Sequence, residues 1–365
     1  MSARGQLQSS ASLNNMEGPV RGIDQHDIPI FSQDWWIEIA RGTSNYRDLM
    51  VVRGNTVIGR LPLALSKDRL GLFWGFDLHW SHLGGPIVDQ SLSRAEQAQV
   101  ISSLLDQLPR WVSFRFVCNP DLSYADLVRS AFIRAGFEHT TQKTYLRSPA
   151  EGNVLDTRKN KHKGHFKRAA KALDCVDITA KEFVNFYEAN LRDSGKKCYS
   201  PLESLTCLIE EAVSRGQARV IAAKHLSGHQ SGKISPALYD AAVAYVWDRH
   251  RCYYWLSTYR IPSESNSFAK SHPDATKLLA LKAMEHAQDM NLIFDSDGIT
   301  TPGTENLYRN MLGLRLEQRR DVFWRATALE RLHQKFRETF RPLVGSHSGS
   351  AVAVSRTIAL DQFVP

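Results

Sequence analysis

The sequence is poor in cysteine and has no long apolar segment. Only 5 of its 365 residues are cysteines, and none of them forms a CxxC pair, which argues against a disulfide framework and a zinc ribbon. No apolar run reaches the roughly 20 residues that a membrane-spanning helix needs. The opening stretch, MSARGQLQSSASLNNMEG, lacks the apolar core of a secretory signal. We therefore expect no membrane span and a reducing, cytoplasmic compartment.

The bulk composition is that of a packed globular protein. Hydrophobic residues make up 42% of the chain, which is too many for a disordered one. At roughly 100–200 residues per domain, 365 residues predict about two domains. The 46 Lys and Arg residues exceed the 38 Asp and Glu residues and leave a formal net charge of +8.

Most of this positive charge lies in one segment. Residues 156–171 contain seven basic residues and one acidic residue, which leaves +6. The segment is predicted to be helical, and at about 100° per residue its cations form two stripes. One stripe contains Lys159, Lys163 and Lys167, and the other contains Arg158, Lys161 and Arg168. Such a helix indicates either an anion site or an ordinary solvated face.

Strand and helix patterns alternate along the chain and predict a mixed α/β (α+β) fold. Ser93 and Glu96 predict a capping box at the start of a helix, and Arg53-Gly54-Asn55 predicts a hairpin between two strands. The segments ARVIAAKHL, ALYDAAVAYVWD and CYYWLSTYR predict the strands of a meander. A helix is predicted at 274–289, with an apolar inner face formed by Leu278, Leu279, Leu281 and Met284. The segments RSAFIRAGFEHTTQKTYLRS and ENLYRNMLGLRLEQRRDVFWRA follow the same order of helix, small-residue stop and strand. We therefore expect a duplication with domains at 27–150 and 151–325, an amphipathic helix at 326–345, and flexible tails at 1–26 and 346–365.

The segment LIFDSDGITTPGTENLYRNMLGL, residues 292–314, resembles the last strand and helix of GNAT-type acyltransferases. In those proteins a helix with a Leu-Tyr pair ends at a Gly followed by an apolar residue. Here the corresponding residues are Leu307, Tyr308, Gly313 and Leu314. This chain has one residue more than usual between Tyr308 and Gly313.

Three further features narrow the resemblance to the FemAB-like branch, whose members contain two GNAT-like domains. They are the duplicated plan, the basic helix RKNKHKGHFKRAAKAL, and the order YYWLSTYR, a proline-containing loop, TKLLALKAMEHAQDM and LIFDSDG. The resemblance covers roughly residues 27–325. It implies acyl transfer in the second domain.

Two departures bear on the acyl donor. No Gln/Arg-x-x-Gly-x-Gly/Ala loop, which cradles the coenzyme A pyrophosphate in standard GNAT proteins, precedes the predicted helix at 274–289. Fem ligases that use aminoacyl-tRNA have a Phe-Lys pair where this chain has Asn310 and Met311. The second departure counts against an aminoacyl-tRNA donor and favours an acyl thioester, acyl-CoA.

Acyl transfer to an amine requires a neutral amine, a stabilised oxyanion and a protonated leaving group. Tyr308 is the candidate general acid; otherwise it is a half-buried aromatic residue at a helix–sheet contact. Asp295 and Asp297 share one side of the predicted strand, and Asp297 is the favoured general base, with Glu305 as a weaker alternative. The two aspartates are otherwise an ordinary strand exit.

Donor binding is assigned to the Lys159, Lys163 and Lys167 stripe together with Arg158. By resemblance alone, Ser257 and Thr258 join it at the end of a central strand. His162 and His165 have no third ligand nearby, so no metal is expected.

The sequence thus predicts an N-acyltransferase that moves an acyl group from acyl-CoA to an amine of a small or sugar-linked acceptor. Two alternatives remain open. One is an aminoacyl-tRNA-dependent Fem-type ligase, and the other is a non-catalytic nucleic-acid-binding protein that uses the 158–171 helix.

Overall fold

A computed structural model describes residues 8–9, 23, 28–42, 45–67, 71–156, 160–198, 200–226, 239–260, 271–298 and 302–332. The helices are α1 (Asp34–Arg41), α2 (Arg94–Asp106), α3 (Ala125–Arg134), α4 (Asn160–Ala172), α5 (Ala180–Asp193), α6 (Leu202–Ser214), α7 (Ala275–Asp289) and α8 (Pro302–Glu305), which runs into a π-helix (Asn306–Leu312). The strands are β1 (Gln8–Ser9), β2 (Asn45–Arg53), β3 (Thr56–Lys67), β4 (Phe73–Phe76), β5 (Ile87–Val88), β6 (Ser113–Cys118), β7 (Glu138–Arg147), β8 (Leu173–Asp177), β9 (Ala218–His225), β10 (Tyr239–Trp247), β11 (Arg251–Tyr259), β12 (Ile293–Asp295) and β13 (Leu316–Arg325). The expected mixed α/β fold is confirmed.

The chain forms two compact units whose borders differ from the expected ones. Unit 1 comprises Met1–Ile23, Ser44–Thr140 and Asp321–Pro365, and unit 2 comprises Asp24–Thr43 and Thr141–Arg320. Helix α1 joins unit 2 because Trp36 packs edge-on against Trp255, with ring centroids 5.1 Å apart. The last residues of β13 join unit 1 because they pair with β6. Both contacts link residues far apart in the sequence, so local patterns do not reveal them.

The predicted C-terminal helix and tails are covered only in part. Residues 328–332 are helical, in keeping with the start of the helix expected at 326–345. The rest of that helix and nearly all of the two expected tails lie outside the described residues. No described helix is long and apolar enough to cross a membrane.

Unit 1 is built on a sheet that begins with the antiparallel hairpin of β2 and β3, as predicted from Arg53-Gly54-Asn55. Strand β4 pairs with β3 and, in parallel, with β6. Helices α2 and α3 cover the sheet with apolar side chains, among them Val100 and Phe132. The capping box of Ser93 and Glu96 at the start of α2 is confirmed.

A buried carboxylate lies where β4 ends. The backbone N–H of Val117 on β6 donates to Asp77 Oδ2 at 2.7 Å. A Cβ atom on Gly84 would lie only 1.9 Å from Asp77 Oδ1, so glycine is required for this close approach. Asp77 therefore joins β6 to the loop that follows β4.

Unit 2 has the strand order β7-β12-β11-β10-β9-β8. Strands β9, β10 and β11 form the predicted antiparallel meander, and β12 pairs in parallel with β11. Helix α7 connects β11 to β12 and buries Leu279 and Ala283 against Val243 and Tyr245 of β10. The apolar face predicted for this helix is thereby confirmed.

Candidate active site

The parallel strands β11 and β12 separate at one point, and a β-bulge lies at the same point. The two strands form three residue pairs, the last of which is Tyr253↔Asp295. On the other side of β11 the register with β10 shifts, so that Tyr254 and Trp255 face Tyr245 alone. Such bulges bend a strand and re-aim its side chains, and they recur beside active sites. Beyond the bulge, the β12 side of β11 has no strand partner among the described residues.

Tyr308 lies against this opening. Its ring packs edge-on against that of Tyr254 with centroids 5.9 Å apart, and only 4% of the residue is exposed. Burial raises the pKa of Tyr308 well above its usual range, and the neighbouring Tyr254, Asp297 and Asp295 raise it further. The hydroxyl therefore keeps its proton at neutral pH and can act as a hydrogen-bond donor.

The helix that contains Tyr308 is π-helical from Asn306 to Leu312. It stops at Gly313, as predicted, in the left-handed conformation with φ 65°. The N–H groups of Gly313 and Leu314 both donate to the Tyr308 carbonyl, the second at 2.9 Å. A π-helix closes i→i+5 instead of i→i+4, and this wider turn accommodates the additional residue seen in the sequence.

The carboxylates of Asp295 and Asp297 point to the same partner, Arg320, but the alternation of side chains along a strand is not the reason. Strand β12 ends at Asp295, and Asp297 has the left-handed φ of 59°. Both carboxylates reach Arg320, whose Nη2 donates to Asp295 at 2.9 Å and whose Nη1 donates to Asp297 at 2.8 Å. A turn clamped by one guanidinium therefore brings the pair together.

Asp295 has further partners. Arg251 Nη1 donates to its Oδ2 at 2.8 Å, and Thr144 Oγ1 donates to its Oδ1. Burial alone would raise the pKa of Asp295, but Arg320, Arg251 and the Thr144 hydrogen bond outweigh it and lower the pKa. A carboxylate stabilised in this way is a weak proton acceptor.

Glu305, the weaker alternative in the sequence, has a more open position. It lies three residues before Tyr308, and about a third of its side chain is exposed. The Tyr145 hydroxyl donates to its Oε1 at 2.9 Å, and Lys143 Nζ lies 3.9 Å from the same oxygen. Glu305 is thus held in place by Tyr145 and remains partly exposed to solvent.

The basic helix α4 presents one edge to the start of α7. His165 Nδ1 lies 3.0 Å from Asp274 Oδ2, and Lys277 also pairs with this buried carboxylate. Burial would raise the pKa of Asp274, but Lys277 and His165 lower it. Asp274 immediately precedes α7, so a carboxylate with its own cations lies at the start of that helix.

Four of the six predicted donor-binding residues lie in the described part of the chain, on α4 and at the end of β11. Lys163 is half-buried and Lys167 is exposed, whereas Arg158 and Lys159 lie outside the described residues. Thr258 is buried and its Oγ1 accepts a hydrogen bond from Asn190 Nδ2 at 2.9 Å, while Ser257 is exposed. No group of three His, Cys, Asp or Glu side chains within the described ranges is arranged to hold a metal ion.

Sequence comparison finds no relative, since no family model and no curated protein match the chain. Comparison with solved structures does find similar folds. The crystal structure of FemX superposes with a TM-score of 0.54 at 12% identity, and the match covers 84% of this chain and 94% of FemX. The chain shares the fold of FemX. The predicted FemAB-like resemblance is thereby confirmed at the level of the fold.

Two further solved structures are similar to this chain, and each match covers 78% of it. One is the C-terminal domain of a putative lysylphosphatidylglycerol synthetase from Agrobacterium fabrum, with a TM-score of 0.45, 11% identity and 85% of that chain covered. The other is a tandem GNAT protein from the clavulanic acid biosynthesis pathway, with a TM-score of 0.44, 14% identity and 83% of that chain covered.

Sequence reasoning did not identify the partners of the predicted site residues in this FemX-like fold. Arg251 and Arg320 lie in segments that read as ordinary strands, and nothing local marks them as buried. Tyr254 is one of several aromatic residues in CYYWLSTYR. The one feature of the site that was visible in the sequence was the additional residue before Gly313, and the structure explains it by the π-helix.

Proposed function

We propose that this chain is an N-acyltransferase that moves an acyl group from an activated donor, an acyl-CoA thioester, to an amine of a small or sugar-linked acceptor. One observation supports it above all others. The separation of β11 from β12, the bulge at Tyr254 and Trp255, and the buried hydroxyl-bearing ring of Tyr308 coincide at one place.

The unpaired edge of β11 supplies backbone N–H groups beyond the bulge. A strand-like donor can pair with such an edge, and an N–H group aimed at the thioester carbonyl stabilises the tetrahedral oxyanion. In this proposal Ser257 contributes its backbone N–H, which faces the unpaired edge. The Thr258 N–H faces β10, because the Arg260 N–H two residues further donates to Asp240 and amides alternate along a strand, and the Thr258 hydroxyl is engaged by Asn190.

Tyr308 acts by hydrogen-bond donation to the leaving group. Complete transfer of its proton would leave a buried tyrosinate near Asp295 and Asp297, which the raised pKa of Tyr308 shows to be unfavourable. A hydrogen bond from the neutral phenol stabilises the departing thiolate without creating that charge.

Glu305 is the proposed general base in place of Asp297. Asp295 and Asp297 are fixed in ion pairs with Arg320 and serve to hold the turn that precedes the Tyr308 helix. Glu305 is partly exposed and is oriented by Tyr145, so an acceptor amine can reach it from solvent.

One observation favours a second candidate, an oxygen-ester donor such as aminoacyl-tRNA. In a standard GNAT protein the segment before the helix equivalent to α7 cradles the coenzyme A pyrophosphate. Here Asp274 occupies the start of α7 and pairs with His165 and Lys277. A donor without a pyrophosphate at this position avoids that carboxylate.

The decisive experiment measures thiol release from a panel of acyl-CoA donors with amine acceptors. Tyr308→Phe should lower kcat by about 10²- to 10³-fold, as expected when one hydrogen-bond donor to a developing negative charge is removed, whereas Tyr259→Phe, an exposed tyrosine at the end of β11, should leave it unchanged. Equal activity in the two variants would exclude the role of Tyr308.

The base and the donor are tested in the same assay. Glu305→Gln should lose activity while keeping its melting temperature, and Asp297→Asn should lose stability first. Turnover with aminoacyl-tRNA but with no acyl-CoA would establish the second candidate. Salt-dependent nucleic-acid binding without turnover of either donor would refute both.

A further inference from the structure

The spacing between Tyr308 and Gly313 poses a geometric problem. Four residues separate them, one more than in the GNAT pattern. In an α-helix one added residue rotates everything before it by about 100°. A rotation of that size about a fixed C-terminal end would turn the Tyr308 side chain away from Tyr254.

The C-terminal end of this turn is fixed. Leu312 and Leu314 are fully buried in the core of unit 2, and Gly313 between them has the left-handed φ of 65° that favours glycine. The added residue must therefore be absorbed upstream of Leu312, where Arg309 and Asn310 are exposed.

The π-helix absorbs it. Closure i→i+5 places roughly one more residue in each turn than closure i→i+4 does. Gly313 and Leu314 accordingly reach back to the carbonyl of Tyr308. Tyr308 remains buried against Tyr254 despite the longer spacing.

A side-chain hydrogen bond spans the outer face of this turn. Asn310 Nδ2 donates to Asn306 Oδ1 at 2.7 Å, and both residues are solvent-exposed. π-helical turns are rare and concentrate at functional sites. The amide pair links the first residue of the π-helix to the residues after Tyr308.

We propose that the π-helical turn clamped by Asn306 and Asn310 is the device that aims Tyr308 at the opening between β11 and β12, and that Asn310 is a positioning residue. The inference rests on the proposed role of Tyr308. It assigns a function to two exposed asparagines that touch neither donor nor acceptor.

The test compares Asn310→Ala with Asn310→Asp. The alanine variant loses the clamp and should lower kcat by about 10- to 100-fold through misplacement of Tyr308, with KM for the donor unchanged. The aspartate can accept from Asn306 Nδ2 after the Asn306 amide turns over, so it should restore most of kcat. Asn306→Ala removes the same bond from the other end and should reproduce the alanine effect.

Arg309→Ala is the matched control, since Arg309 is exposed and makes no hydrogen bond or ion pair with the described residues. It should retain wild-type kcat. Unchanged kcat in both Asn310→Ala and Asn306→Ala, or failure of Asn310→Asp to recover activity, would overturn the proposal.

A structural readout separates this inference from the proposed function. Hydrogen exchange at the Gly313 and Leu314 amides reports their bonds to the Tyr308 carbonyl without any turnover. Both amides should exchange faster in Asn310→Ala than in the wild type and Asn310→Asp. If the wild type has no transferase activity but Asn310→Ala still shows faster exchange, the proposed function is refuted and the Asn306–Asn310 clamp is supported. If exchange is the same in all three proteins, the clamp is refuted.

Discussion

The guanidinium of Arg320 donates to the carboxylate of Asp295 at 2.9 Å, and solvent reaches almost none of either side chain. The same guanidinium donates to Asp297, and Arg251 supplies the second cation. Two arginines therefore balance two aspartates inside unit 2. This balance fixes the turn after β12, from which the chain proceeds to the helix of Tyr308.

Arg320→Met should destabilise the protein by about 3–5 kcal/mol, because it leaves buried carboxylates without their main partner. Chemical denaturation with the linear extrapolation of the unfolding free energy measures this loss. Arg319→Ala, one residue away and mostly exposed, should change stability by no more than about 0.5 kcal/mol. Similar losses in the two variants would show that the Arg320 ion pairs are not important for stability.

Asp77 should make stability depend on pH in an unusual direction. Burial raises its pKa from 3.8 to about 7, although the Val117 N–H and Arg115 oppose this effect. The folded state therefore keeps the proton to higher pH than the unfolded chain, and stability falls as pH rises through this window.

Asp77→Asn mimics the protonated form and should remove that loss. At about 1.4 kcal/mol per pH unit, the variant should gain up to about 4 kcal/mol relative to wild type between pH 4 and 7. Urea denaturation at several pH values measures the difference, with the exposed Asp174→Asn variant as control. A gain that does not grow with pH would contradict the assignment.

Two glycines should respond to alanine in opposite directions. Gly313 has a left-handed φ of 65°, so Gly313→Ala should cost about 1–2 kcal/mol. Gly164 lies inside α4, where an added Cβ meets only Arg168 Nη1 at an ordinary 3.7 Å. Gly164→Ala should therefore gain about 0.5–1 kcal/mol. Thermal unfolding of the two variants measures both changes. If both variants lose stability or both gain it, the backbone conformation assigned to one of the two glycines is wrong.

Ser93→Ala should destabilise α2 by about 1 kcal/mol, since it removes the side-chain half of a capping box. The Ser93 side chain accepts from the N–H of Glu96, and the Glu96 carboxylate accepts from the N–H of Ser93. Ser102→Ala in the middle of the same helix is the comparison and should be neutral. A melting temperature unaffected by Ser93→Ala would show that the cap contributes nothing.

Several elements follow from local patterns alone. The hairpin at Gly54, the capping box at Ser93 and the stop at Gly313 were predicted correctly, because each depends on a few consecutive residues. The order of motifs around Tyr308 predicted the FemAB-like fold, and the comparison with FemX confirmed it. The apolar face of α7 followed from helical periodicity.

Contacts between residues far apart in the sequence set the borders of the units. They also set which of the candidate carboxylates are held in ion pairs. Asp297 was favoured as a base from its place near a strand end, and no local signal indicates that Arg320, 23 positions later, occupies it. Glu305 became the preferred candidate base only because the structure places the hydroxyl of Tyr145, 160 positions earlier, against its carboxylate.

The sequence by itself determined the helices, the strands and the residues proposed for acyl transfer, because periodicity, caps and turns act over a few residues. Only the tertiary structure decided which of those residues are free to react. Burial and ion pairing set that freedom, and both depend on side chains that meet after the chain has folded. The added residue before Gly313 shows the division clearly: it is visible in the sequence, and its accommodation by a π-helix depends on the buried Leu312 and Leu314 that fix the end of the turn.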